Sequence, residues 1–342
     1  MLIFITIVSY LLVLLVVRYA HSLKLLDVPN ERSHHCSIIA SGAGIGFVSA
    51  IFMAMLFFNL QLSLEYWFVF VAILMVFGIG VLDDRHDVSP KMKFVFIFAA
   101  VILMWINGVS FDTLGRLFGY ELSLYWLALP FSLLAMAGLT NALNLVDGLD
   151  GLAGSLSIII LASFAYVGHE NGNAFIYMLS TYSMASVVGF MFLNWNPAKV
   201  FMGDSGSLTL GFIVSVLAVM STEYVQPVTL LYFIAIPILD TLIVMLRRIR
   251  RKASPFSADK THLHHILVKF FDNNVKKTVI FLSLLQILFS SIGYILAVQI
   301  SDNPDGFLPL FALFIFAIIF VVFYMIFTGI KKRQNTIDHV DE

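Results

Sequence analysis

Apolar runs of bilayer scale recur from one end of this sequence to the other, and nothing else constrains its fold as strongly. We read eleven of them, at roughly 2–20, 39–60, 66–82, 94–107, 123–140, 152–167, 174–194, 207–222, 228–246, 278–298 and 308–328. A helix perpendicular to the membrane needs ~20 residues to cross the hydrocarbon core. Several runs are shorter than that, 94–107 most of all. Composition points the same way: 60% of residues are hydrophobic and 12% are charged, against about 25% charged in soluble domains. The expected fold is an all-α polytopic integral membrane protein of about 11 transmembrane helices. It is read as one multi-span domain over 1–330 with a short polar tail at 331–342. The first run begins at Met1 without a basic leader and ends at Arg18-Tyr19-Ala20-His21, so it is expected to be a retained span rather than a cleaved signal.

A single cysteine, Cys36, excludes an intrachain disulfide framework and a cysteine-rich zinc site. The formal net charge of -1 gives no electrostatic argument for nucleic acid. The basic residues do carry information, because they fall in alternate loops. Lys24 and Arg32 follow the first run, Arg85, Lys91 and Lys93 the third, Lys199 the seventh, and a dense set from Arg247 to Lys277 the ninth. Lys331, Lys332 and Arg333 follow the last, whereas the opposite loops hold only Arg116. The N-terminus is therefore expected outside and the C-terminus in the cytoplasm.

With that topology four polar segments share the cytoplasmic face: VLDDRHDVSP at 81–90, TNALNLVDGLDG at 140–151, NWNPAKVFMGDSGS at 194–207 and RRIRRKASPFSADKTHLHH at 247–265. The active-site loops are accordingly expected at 83–93, 141–151, 195–206 and 247–277. These segments hold Asp83, Asp84, Asp87, Asp147, Asp150, Asp204 and, nearby, Asp240. Carboxylates facing a basic loop suit an anionic substrate held through a hard divalent cation, magnesium or manganese. If Asp147 and Asp150 are helical, their spacing of three puts them on one face. The adjacent Asp83 and Asp84 cannot face alike, so a division of labour is expected between them. Gly148 and Gly151 allow close approach of backbone to a ligand. The amides at the start of the run after FMGDSGS are expected to bind phosphate oxygens. Asn144 offers donor and acceptor edges for a sugar or base. His262, His264 and His265 are candidates for contact with a diphosphate, and the arginines that open the basic loop, Arg247 first, for steering an anion.

Each feature alone has a plainer reading. Basic residues report topology and anionic lipid, Asp-Gly pairs form turns, and FMGDSGS is a plausible helix cap; His34, His35 and His86 read as interfacial residues. Their joint placement on one face favours an enzyme that handles phosphate. An ion- or proton-coupled transporter stays open as the other class, although its coupling site would be expected near the bilayer midplane. No G-x-x-x-x-G-K-[ST] loop is present to support ATP-driven pumping.

LDDRHDVSPKMK, NALNLVDGLDGLAG, FMGDSGSLTLGF and PFSADKTHLHH, in that order, together resemble the polyprenyl-phosphate N-acetylhexosamine-1-phosphate transferase family. HLHH in place of three consecutive histidines is similar to the branch acting on the simpler amino sugar. The resemblance implies transfer of N-acetylglucosamine-1-phosphate from UDP-N-acetylglucosamine to undecaprenyl phosphate, with release of UMP, in a bacterial cytoplasmic (inner) membrane. Another UDP-N-acetylhexosamine is the alternative donor. It implies catalytic roles for Asp83, Asp84 and Asp150, and metal contacts from Asp204, Asp84 and Asp150 to Mg2+ or Mn2+. Asn144, Asp147, His262, His264, His265 and Arg247 would then bind substrate. Direct attack by the lipid phosphate is favoured over a covalent intermediate on Asp83, which stays open, as does a homodimer.

Overall fold

The structure, a computed structural model, describes residues 1–27, 38–117, 119–252, 262–302 and 306–338. His34, His35 and Cys36, and the stretch 253–261 of the basic loop, lie outside the described residues. In chain order the elements are α1 (Leu2–Leu23), β1 (Leu26–Asp27), β2 (Ile39–Ala40), α2 (Gly44–Phe58), α3 (Leu60–Glu65), α4 (Trp67–His86) and α5 (Pro90–Ile106). Then come β3 (Thr113–Leu117), β4 (Tyr120–Ser123), α6 (Ala128–Val146), α7 (Leu152–Glu170), α8 (Ala174–Asn194) and α9 (Asp204–Ser221). The chain continues through α10 (Pro227–Phe233), α11 (Ala235–Arg250), α12 (Leu263–Phe270), α13 (Val275–Asp302) and α14 (Leu308–Asp338). Among the described residues strands are confined to two two-stranded sheets, β1 with β2 and β3 with β4.

Eight helices are long and apolar enough to cross a membrane, and α10–α11, bent by 89°, makes a ninth if it is one broken span. The chain is an all-α polytopic membrane protein. α2 and α5 occupy two further apolar runs but have only 15 and 17 residues. Several boundaries differ from the expected ones. α4 continues to His86 and α5 starts at Pro90, so the loop expected at 83–93 shrinks to Asp87–Ser89. The reason is local. Asp87 takes the left-handed conformation (φ 49) and its N–H bonds the Asp83 carbonyl, ending α4. Pro90 then opens α5 at a position where a missing N–H leaves nothing unsatisfied. α14 runs to Asp338, past the end at 330 expected for the membrane domain.

The chain divides into two compact units, Met1–Thr113 with Ser123–Tyr224, and Leu114–Leu122 with Val225–Glu342. In the first unit α9 is buried along nearly its whole length. Helices in lipid gain little from the hydrophobic effect and instead associate through small residues and hydroxyls. Here Gly211 of α9 lies against the Thr140 backbone of α6, and Ser215 Oγ donates to the Met136 carbonyl at 3.1 Å. Thr6 and Ser9 of α1 donate to the carbonyls of Ala185 (3.0 Å) and Ser186 (2.6 Å) on α8. Each such bond contributes about 0.6 kcal/mol, so they fix register more than they supply stability.

In the second unit the bend between α10 and α11 exposes backbone groups that lipid cannot satisfy. Gln286 of α13, fully buried, takes them. Its Oε1 accepts the Ile236 N–H at 3.0 Å, and its Nε2 donates to the Phe233 carbonyl at 2.8 Å. The expected single span at 228–246 is thus two helices latched from a third.

Candidate active site

The acidic residues of the first unit converge because helix ends alternate there. α4 ends, α5 begins, α6 ends, α7 begins, α8 ends and α9 begins around one polar cluster. Asp83 Oδ1 accepts the Val88 N–H at 2.7 Å, while Oδ2 pairs with Lys93 Nζ at 2.7 Å. Lys93 also donates to Asp204 Oδ2. One ammonium from the first turn of α5 therefore bridges carboxylates on α4 and α9. Asn144, near the end of α6, donates to Asp204 Oδ1 at 3.0 Å and to Ser207 Oγ at 2.8 Å.

Asp84 points elsewhere, as its adjacency to Asp83 requires. Its Oδ1 accepts the Asp204 N–H at 2.7 Å and its Oδ2 the Ser205 N–H at 3.2 Å. Two orphan amides of α9 are thereby capped by a carboxylate from another helix, a favourable arrangement at the positive end of a helix dipole. This corrects the expectation that those amides would bind phosphate, since a protein carboxylate already takes them. Gly203 (φ 71) makes the turn into α9, and a methyl there would sit 2.6 Å from Asp84 Oδ1. The same turn is stitched to the segment before α2: Ala43 and Gly44 donate to the carbonyls of Phe201 (3.1 Å) and Met202 (3.0 Å).

Asp147 and Asp150 are not helical, contrary to the face-sharing expected if they were; they lie in the connection between α6 and α7. Asp150 Oδ2 accepts from Asn196 Nδ2 at 2.8 Å and from the Ala198 N–H at 3.0 Å. Asn194 holds the same turn, accepting the Gly151 N–H at 2.9 Å and donating to the Val200 carbonyl at 2.9 Å. Gly151 needs its positive φ of 79° to start α7 here. The Asp147 N–H donates to the Asn144 carbonyl at 3.2 Å, and its carboxylate makes no hydrogen bond or ion pair among the described residues. Burial, and after it the charges of Asp204, Asp84 and Asp150, push its carboxyl up to about 8.

The structure thus brings Asp83, Asp84, Asn144, Asp147 and Asp204 together in one unit, with Asp150 close enough to act on Asp147. Lys93 and the pair Asn194/Asn196 were not singled out from the sequence as site residues. Lys93 read only as a topological charge, although its place in LDDRHDVSPKMK was the available signal.

In the second unit the histidines gather around Asp240, one turn into α11. Asp240 Oδ1 accepts the Leu263 N–H at 2.8 Å, and Oδ2 lies 3.1 Å from His262 Nδ1 and 3.6 Å from His264 Nδ1. His262 and His264 are buried, with parallel rings 5.5 Å apart, whereas His265 is partly exposed. Arg247, two turns further along α11, is also buried, and its Nε donates to Thr328 Oγ1 at 3.3 Å.

Among the described residues no group of three or more His, Cys, Asp or Glu is arranged to hold a metal ion, although the carboxylate oxygens of the first unit are the hard donors that magnesium favours. A carboxyl raised to about 8 by burial first and then by its neighbours' negative charge is one that a nearby positive charge would help to ionise. Phosphate-bearing substrates and a hard cation are what this arrangement can handle chemically.

Comparison with known proteins agrees. Residues 66–222, which contain every carboxylate of the first cluster, match the Glycosyl transferase family 4 domain. A Bacillus subtilis (strain 168) protein, named as a probable undecaprenyl-phosphate N-acetylglucosaminyl 1-phosphate transferase, is 32% identical over 340 residues, covering 96% of this chain and 92% of its own. The undecaprenyl-phosphate alpha-N-acetylglucosaminyl 1-phosphate transferases of Yersinia pestis and Escherichia coli (strain K12) are similar. The first is 33% identical over 74% of this chain and 72% of its own, the second 32% over 81% and 77%. With a relative aligned over almost the whole length and a domain match that spans the acidic cluster, the chain belongs to glycosyl transferase family 4.

Proposed function

We propose that this protein transfers N-acetylglucosamine-1-phosphate from UDP-N-acetylglucosamine to undecaprenyl phosphate, releasing UMP. The product is a lipid-linked diphosphate sugar of the kind that initiates cell-surface polysaccharide. The observation that carries the reading is the carboxylate cluster of the first unit, where Lys93 bridges Asp83 and Asp204. The names of the relatives supply the acceptor, undecaprenyl phosphate, and the transferred group, N-acetylglucosamine-1-phosphate.

Magnesium would be held by Asp204, with Asp147, whose carboxylate has no partner among the described residues, as the second donor. Asp84 and Asp150, the other expected ligands, carry bonds to Asp204, Ser205, Asn196 and Ala198 within the fold; Asp84 keeps a lone pair on each oxygen, whereas both Asp150 bonds fall on Oδ2 and leave Oδ1 as its acceptor. When bound, the cation supplies charge neutralisation as the bond to UMP breaks. The chain's own contribution is arrangement. Lys93 offsets like charge between Asp83 and Asp204. Asn144 orients Asp204. An oxygen of the lipid phosphate attacks the β phosphorus, one P–O bond forms, and the P–O bond to UMP breaks with its electron pair leaving on UMP. Both oxygens of Asp83 are engaged, by the Val88 amide and by Lys93, which favours orientation of the incoming phosphate over service as a nucleophile. Asn144 is proposed to contact the nucleotide sugar; His265, the most exposed of its cluster, and Arg247 are proposed to meet substrate phosphates.

The proposed topology has eleven crossings, N-terminus outside, C-terminus and acidic cluster in the cytoplasm of a bacterial inner membrane. The convergence of alternate helix ends in the first unit supports it. Purified protein given magnesium, undecaprenyl phosphate and radiolabelled UDP-N-acetylglucosamine is expected to place label in lipid. Label should be lost in EDTA and reduced at least about a hundredfold in Asp204→Asn. Transfer from a different UDP-N-acetylhexosamine alone would change the donor; no transfer from any of them would remove the reading.

A further inference from the structure

Asp240 lies inside an apolar run, is 2% exposed, and is used by nothing in the reaction just described. A buried carboxylate is expensive unless several donors meet it. Two do, and both come from the histidine motif: the Leu263 N–H and the Nδ1 of His262, with His264 Nδ1 near them at 3.6 Å, beyond hydrogen-bond distance. An ionised carboxylate only accepts hydrogen bonds, so His262 must carry hydrogen on Nδ1 toward Asp240. The remaining ring nitrogen, Nε2, is then left as an acceptor or, on protonation, as a second donor. His262 is also the residue that caps α12, with extended backbone (φ -61, ψ 153). The carboxylate therefore sets the tautomer and rotamer of the His262 imidazole and the point at which α12 begins, and the His264 ring stacks on the ring so fixed. The rings of His264 and His265 are 4.3 Å apart, so fixing the buried pair also fixes the partly exposed third.

We propose that Asp240 is a positioning residue, holding the histidine motif in one tautomer and orientation so that His265 meets the substrate phosphates. The proposal rests on the transferase reading for its kinetic consequence but not for its structural one. His262 and His264 form a buried anchor, and His265 is the working member of the motif. This differs from the equal substrate contact expected of all three.

The test uses the full-length protein in nanodiscs, with histidine ring 15N spectra assigned through His262→Gln. In the unaltered protein the His262 signals are expected to show hydrogen on Nδ1. In Asp240→Asn the side-chain amide presents a donor to Nδ1, and the hydrogen should move to Nε2. With melting temperature retained, kcat is expected to fall about tenfold to a hundredfold, as for other buried partners of functional imidazoles. KM should move less, and Asp240→Glu should recover part of kcat. An unchanged His262 tautomer in folded Asp240→Asn overturns the proposal. So does a loss of activity that tracks loss of folded protein in both Asn and Glu variants. If Asp240→Asn does not fold, His262→Gln decides. Its amide can still donate to Asp240, so folded protein that keeps most of its kcat supports an anchoring His262, and a loss of kcat as large as that of a substrate-contacting residue overturns the proposal. A wild-type chain inactive with every donor would remove the transferase reading, and the tautomer would then decide the Asp240–His262 relation by itself.

Discussion

Lys93 is the residue on which the first cluster depends, because among the described residues it alone pairs with two of its carboxylates, which would otherwise repel. Lys93→Met should lower kcat at least about a hundredfold and lower the melting temperature, measured side by side in detergent. Asp147 gives a prediction with a sign. Its carboxyl is raised from 3.8 to about 8 in the folded chain, so the folded state holds that proton more tightly than the unfolded state. Stability from this group is full below about pH 4 and declines as pH rises toward 8. In EDTA, the melting temperature of the wild type relative to Asp147→Asn should therefore fall between pH 5.5 and 8.5, and magnesium should oppose the fall. The acidic residues were legible in the sequence because Asp-Asp, Asp-Gly-Leu-Asp-Gly and Gly-Asp-Ser-Gly recur at the ends of apolar runs. Their partners were not. A bridging lysine looks like any cytoplasmic lysine, and Asp240 is one carboxylate in a greasy stretch whose partner is 22 residues away.

Among the elements, α4 and α9 are held so closely that glycine is needed between them. A methyl on Gly80 would sit 2.6 Å from the Asp204 carbonyl oxygen and 2.7 Å from the Ser205 Cα. Backbone cannot give way there as a flexible side chain would. Gly80→Ala should destabilise by about 1–3 kcal/mol and depress activity, read from thermal melting and label transfer. Gly78→Ala, two residues earlier in α4 with open space around it, should do neither. Periodicity and hydropathy located the helices well, since lipid requires them to be apolar. They could not show that α10 and α11 break, because both halves are equally apolar. Pro237, in the first turn of α11, was the nearest signal, yet proline is tolerated there without marking a bend.

At the scale of the whole molecule, topology is the property most open to a direct check. Alkaline phosphatase fused after Asn171, between α7 and α8, should be active, and a fusion after Lys199, between α8 and α9, should be inactive; the reverse pattern would invert the proposed orientation. The sequence carries this information only in its lysines and arginines. The grouping of helices into two units follows from side-chain packing that hydropathy does not encode. The cap that Asp84 places on α9 also bears on how the protein is made. Its acceptor and donors lie 120 residues apart, so α4 leaves the ribosome long before the amides that will neutralise its end exist. Until then Asp83 and Asp84 must remain hydrated at the membrane surface, which keeps the end of α4 at the interface during insertion. The cluster can close only after α9 has been synthesised, so biosynthesis itself delays assembly of the acidic cluster until nearly two thirds of the chain is in place.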